Sequence, residues 1–194
     1  MTVKPKRQVT ALNTEYRCWI LLSLVVFGMS AASAQEAGLT RGAELLSPFK
    51  RELQAALRAG LTEGAVEAIN VCRLQAPEIA GTHSGDGIRL GRASHRLRNP
   101  ANVTPDWVGP ILAAYIADSA DRAPRVVPLP DERLGYVEPI PLQPLCLTCH
   151  GETLAPDVAS RIAALYPDDR AVGFAVGDLR GVFWIEFPAG EPDD

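Results

Sequence analysis

Six prolines fall between positions 124 and 144, at Pro124, Pro128, Pro130, Pro139, Pro141 and Pro144. A proline brings no amide hydrogen, and its ring collides with the carbonyl four residues back, so no long helix crosses this stretch. Edge strands and extended segments tolerate it. The chain is thereby split into an upstream part free to be helical and a downstream part that must find another architecture.

Upstream, residues 42–59 (GAELLSPFKRELQAALRA) place Leu45, Leu46, Phe49, Leu53, Ala56 and Leu57 near helical spacing. Gly60 and Gly64 bracket a break. EGAVEAINVCRLQAPEIA then sets Ala65, Ile69, Cys72 and Ala76 on one face of a second helix, which Pro77 should end or kink. Residues 81–104 read as loop around a short strand near Ile88–Gly91. Pro105–Ser119 reads as a third helix with Trp107, Ile111, Tyr115 and Ile116 on its apolar side. Downstream, Pro156–Leu165 predicts a short helix. The tail AVGFAVGDLRGVFWIEF has two β-rich runs around Gly177-Asp178-Leu179-Arg180, the pattern of a hairpin. Helices first and strands later predict an α+β domain.

The N-terminus has a different logic. Lys4, Lys6, Arg7 and Arg17 precede the apolar run Cys18–Met29, and small residues lead to Ala32-Ser33-Ala34. A basic segment, an apolar segment and an A-x-A site are the marks of a secretory signal, so residues 1–34 are expected to be a signal peptide and residues 35–194 the domain. The alternative is an N-terminal membrane anchor, although the 12-residue apolar run is shorter than the ~20 residues of a spanning helix. Residues 1–34 hold four of the 19 basic and one of the 23 acidic side chains, which leaves the domain fifteen and twenty-two, a net charge of −7. That balance argues against nucleic acid or an anionic membrane surface as a partner. The expected location is the periplasm or another exported compartment.

Once Cys18 leaves with the signal, Cys72, Cys146 and Cys149 remain, an odd number that a disulfide framework does not explain. Two of them lie in Leu145–Gly151, LCLTCHG. In a helical turn, positions i, i+3 and i+4 share a face, so Cys146, Cys149 and His150 point the same way. Covalent haem attachment uses this spacing: each thiol joins one vinyl group and the adjacent imidazole reaches the iron. One covalent haem c is the expected cofactor, with Cys146 and Cys149 as attachment points and His150 as proximal ligand. Zinc held by Cys146, Cys149 and two of Cys72, His83 and His95 is an alternative that lacks a second regularly spaced pair. A thioredoxin-like dithiol lacks the βαβ context.

The sixth ligand is open on spacing alone. Both methionines, Met1 and Met29, belong to the expected signal, so His/Met ligation is excluded after cleavage. Cys72, His83, His95, Lys50, a tyrosine or an empty site remain. The arginines at 89, 92, 96 and 98 suit the haem propionates, since buried carboxylates need partners and guanidinium matches them bidentately. Arg92 and Arg98 are the candidates for that contact.

The segments GAVEAINVC, IRLGRASHRLRNPANVTPDW, PLCLTCHG and ALYPDDRAVGFAVGDLRG, in this order, resemble a family of exported c-type haem domains with a PAS-like fold. One cyanobacterial member carries a His/Cys-ligated haem. The resemblance covers roughly residues 42–187. It implies a PAS-like antiparallel sheet with N-terminal helices, His150 as proximal ligand and Cys72 as distal ligand. Thiolate ligation stabilises ferric over ferrous iron and implies a low potential. The expected function is a monohaem, low-potential redox or gas-responsive sensor-like module that passes its signal to a separate signalling protein or redox partner. The rival is a soluble cytochrome c-like electron carrier. An enzyme is not expected; His95 is what keeps a weak peroxidase-like activity in view. A cytochrome c′-like bundle is disfavoured by the prolines.

Overall fold

A computed structural model describes residues 15–190, with side chains from residue 32 onward. Lys4, Lys6 and Arg7 of the expected signal lie outside the described residues, as do the side chains of Arg17, Cys18 and Met29. The chain separates into two compact units, residues 1–37 and 38–194. No helix among the described residues is long and apolar enough to cross a membrane.

Helix α1 runs Glu15–Glu63 and α2 runs Ala65–Thr82, with Gly64 at φ 123° as the single residue between them. The break expected at Gly60 and Gly64 therefore falls on Gly64 alone. Pro77 does not end α2. It is exposed, while Ala76 and Ile79 on either side are buried in the core, so packing holds the helix and the lost hydrogen bond faces water. Pro48 is carried through α1 between buried Leu46 and Phe49 in the same way.

The remaining elements are β1 (Arg89–Ala93), α3 (Val108–Ala117), β2 (Arg125–Leu129), β3 (Arg133–Pro141), a 3-10 turn (Pro144–Cys146) leading into α4 (Leu147–His150), α5 (Pro156–Leu165) and β4 (Leu179–Pro188). The strands form one antiparallel sheet in the order β1-β4-β3-β2. The expected α+β, PAS-like arrangement is present, an antiparallel sheet with the helices of the N-terminal half against it. Pro128 sits on the edge strand β2, and Pro139 lies beyond Val137, where β2 ceases to cover β3. Pro128 thus has a neighbouring strand on one side only, and Pro139 is flanked by β4 alone, paired with Val182.

The sheet divides two cores. On one face Ile185 and Phe187 meet Leu46, Phe49 and Leu53 of α1 and Ala76 and Ile79 of α2. On the other, Val182 and Trp184 meet Val108, Ile111, Leu112 and Tyr115 of α3. The hairpin expected in the tail is absent. Only Leu179–Pro188 is strand, and residues 171–178 leave the extended state because Gly173 and Gly177 take φ of 73° and 89°. The hairpin the sheet does contain joins β2 to β3 through Pro130-Asp131-Glu132, with Asp131 and Glu132 in the left-handed region.

Candidate functional site

The turn carrying Cys146, Cys149 and His150 follows β3 and starts at Pro144, whose fixed φ suits a first helical position. All three cysteines of residues 38–194 are free thiols, each half-buried. Cys146 packs with Leu142, Ala171 and Phe174; Cys149 packs with Ile69 of α2 and with Val158 and Ile162 of α5. The turn therefore straddles two small apolar clusters.

The segment that fails to become a strand is what holds His150. Gly173 N–H donates to Gly151 O, and Phe174 N–H donates to His150 O at 3.0 Å. His150 Nδ1 lies 2.7 Å from the carbonyl oxygen of Ala171. A carbonyl only accepts, so Nδ1 carries the proton and Nε2 keeps its lone pair. Burial first, then the cations Arg180 and Arg98, lower the imidazole pKa to about 3, so it is neutral at ordinary pH. Phe174 meets the His150 ring edge-on at 6.4 Å.

Cys72 lies on α2 between Ile69, in the cluster with Cys149, and Ala76, in the main core. Burial pushes its thiol up, and Arg92 and Arg98 pull it down. The charge of Cys72 is felt in turn at Cys149 and at Tyr166. Cys72 thus lies within electrostatic reach of Cys149 on the CxxCH turn.

Arg92 pairs with Phe183 in the β1–β4 register, and Phe183 packs on the core beneath α1 and α2. Part of its surface stays open, yet desolvation is the largest influence lowering its guanidinium, followed by Cys72 and Tyr166, which raise it. Among the described residues it has no hydrogen bond and no ion pair. Arg98 is differently placed. Its Nε and Nη2 grip both oxygens of Asp169 at 3.2 and 3.1 Å, and Nη2 also donates to Cys149 O at 2.6 Å and Ala171 O at 3.3 Å. Of the two arginines named as candidate propionate contacts, Arg98 is engaged by protein acceptors.

Reading the sequence missed Arg180. In the β3–β4 ladder Ile140 pairs with Gly181 and Pro141 with Leu179, so Arg180 is the extra residue of a bulge. A bulge re-aims its side chain. Arg180 donates from Nη1 to Ser94 Oγ at 2.8 Å and to Arg96 O at 3.2 Å, both neutral acceptors. Burial, then Arg92 and Arg98, lower its pKa to about 10. Arg92, Arg96, Arg98 and Arg180 converge on this corner, and among the described residues only Arg98 of the four has a carboxylate ion pair. The signal available in the sequence was Arg180 inside GDLRG, close behind a glycine.

The other candidates fall elsewhere. His83 Nε2 sits 2.7 Å from Glu52 Oε2, and Lys50 pairs with Glu138. His95 is exposed and meets Phe174 edge-on at 6.2 Å, on the ring that also meets His150. Among the described residues no three His, Cys, Asp or Glu side chains gather as a metal cluster.

None of the curated proteins compared matches the chain. Among solved structures, the crystal structure of the cyanobacterial heme-protein Tll0287 aligns at a TM-score of 0.53 and 23% identity, covering 76% of this chain and 95% of that one. The Tll0287-like family model matches residues 28–188, most of the sequence. The chain belongs to the Tll0287-like family, the one its motifs resemble.

Proposed function

We propose that this protein binds one haem c, attached through Cys146 and Cys149, with His150 as proximal ligand and Cys72 as distal ligand. The observation that carries the reading is the fixed tautomer of His150: Ala171 O accepts from Nδ1–H, which leaves Nε2 with its lone pair on a turn that also carries two free thiols. A metal-ligating histidine characteristically donates its other N–H in this way. The heme-protein title of the structural relative points in the same direction.

The chain's own residues fit such a group. Among the described residues Arg92 and Arg180 are two mutually repelling guanidinium groups with no carboxylate ion pair, and Asp169 only partly offsets the charge at Arg180, a state that a doubly anionic group relieves. They are the proposed propionate partners, and Arg98 keeps an internal role. Bound haem would supply one-electron chemistry and, with a thiolate donor, a low potential. Cys72 must lose its proton to coordinate; burial holds that proton on, and the positive field of Arg92 and Arg98 only partly offsets it.

The reading extends to an exported, non-enzymatic redox or gas-responsive module, in which Cys72 would be the exchangeable ligand and would take up a proton if released. A second reading, a soluble electron carrier, draws on Leu145 and Val176, exposed apolar residues flanking the CxxCH turn and its partner segment. The midpoint potential separates the two. The test of the site is the optical and EPR spectrum of holoprotein beside Cys72→Ala. Low-spin ferric thiolate signals are expected in the parent and not in the variant; identical spectra remove Cys72, and complete extraction of colour by acid-acetone removes the covalent haem.

A further inference from the structure

Arg98 touches both halves of the proximal side. One guanidinium joins Cys149 O on the CxxCH turn to Ala171 O on the segment that holds the imidazole, while Asp169 clamps it from behind. Asp169 Oδ1 also accepts the Ala171 N–H at 2.9 Å. The pair is well enclosed, with side chains 13% and 8% exposed, so solvent screens it little. Ala171 O consequently serves two donors, Nδ1–H of His150 at 2.7 Å and the weaker, charged N–H of Arg98 at 3.3 Å.

We infer that Arg98 and Asp169 set the donor strength of His150 through the shared carbonyl of Ala171. Arg98 is a positioning residue here and touches no reacting atom. The inference rests on the reading of His150 as proximal ligand. A cation on a carbonyl draws electron density from it and makes it a poorer acceptor for the second donor. A weaker Nδ1–H bond leaves the imidazole less anionic and a weaker donor to iron, which disfavours the ferric state. Asp169 moderates this by offsetting the guanidinium charge. The two residues therefore pull the iron potential in opposite directions, although each stabilises the same loop.

The test compares holoprotein variants Asp169→Asn, Arg98→Gln and Arg98→Lys by midpoint potential and by the iron–imidazole stretch in resonance Raman spectra of the ferrous form. Asp169→Asn keeps an oxygen for Ala171 N–H but bares the guanidinium: the potential should rise and the stretch should fall. Arg98→Gln should do the reverse. Arg98→Lys keeps the charge and loses the fork, and should fall between Arg98→Gln and the parent. A purely structural clamp lowers the melting temperature of all three without opposite-signed potentials. Shifts of one sign, or none, in Asp169→Asn and Arg98→Gln overturn the inference while leaving the haem assignment standing. A parent protein that carries no covalent haem overturns both.

Discussion

Gly181 approaches Ala93 so closely that a β-carbon on it would lie 2.2 Å from the Ala93 carbonyl oxygen and 3.1 Å from Ser94 Cβ. The obstacle is backbone, which cannot swing aside as a side-chain tip can. Gly181 also directly follows the bulged Arg180, whose guanidinium is anchored to Ser94. Gly181→Ala should therefore push β1 from β4 and displace Arg180 together. The expected cost is about 3 kcal/mol or more, above the usual range for overpacking. Urea unfolding measures it; a cost below about 1 kcal/mol would show that the strands separate freely at this point.

Glu186 is the buried acid of the sheet. It accepts from Trp107 Nε1 at 2.8 Å and pairs with Arg89 at 3.2 Å, with Arg133 at 3.9 Å. Glu186→Ala leaves the Trp107 donor without an acceptor, in a region where Trp184 Nε1 already has none. A loss of about 2–4 kcal/mol is expected. Glu186→Gln retains an oxygen for Trp107 and should cost less. Equal losses for the two variants would mean that charge alone, not the indole hydrogen bond, sets the energy.

The faces of α1 and α2 and the CxxCH turn are legible in the sequence because each depends on spacing along one chain. Leu46, Phe49 and Leu53 recur at three and four residues, and all three are buried. Residues 171–178 are apolar enough to pass for a strand, and only the backbone angles of Gly173 and Gly177 show that they bend away to hold His150. Arg180 depends on a two-against-one register between β3 and β4, a property of two strands together that neither segment displays alone. The pairing of Arg98 with Asp169 is not legible in the sequence because the two lie 71 residues apart.

Tyrosine ionisation gives a pH dependence with a definite sign. Beyond residue 34 the tyrosines are Tyr115, Tyr136 and Tyr166. Burial raises all three, Tyr115 to about 12 and Tyr136 higher still, with Glu138 adding to the rise at Tyr136 and Cys72 at Tyr166. A folded-state pKa above the unfolded value of about 10 means that the neutral phenol favours the fold. That stability is fully present below pH ~10 and is lost as the pH rises through the folded values. In protein lacking residues 1–34, and with them Tyr16, absorbance at 295 nm should show the tyrosines titrating above pH 10, with a cooperative rise as the domain opens. A smooth titration of Tyr115 and Tyr136 near pH 10 would contradict the burial of both rings.

Arg92 should behave oppositely with and without the proposed cofactor. In a haem-free chain, made by Cys146→Ala with Cys149→Ala, its guanidinium is desolvated beside Cys72 and Arg180 with no carboxylate to balance it. Arg92→Met fills similar volume without the charge, and removing an uncompensated buried ion stabilises. The haem-free form should gain about 1–3 kcal/mol on that substitution. If the holoprotein is as proposed, the same change would take a partner from a propionate, so stability should fall, and the midpoint potential should drop with the loss of a cation from the site. The two melting temperatures need to move in opposite directions. If Arg92→Met destabilises the haem-free and haem-bearing forms alike, the arginine serves the fold rather than an anionic guest.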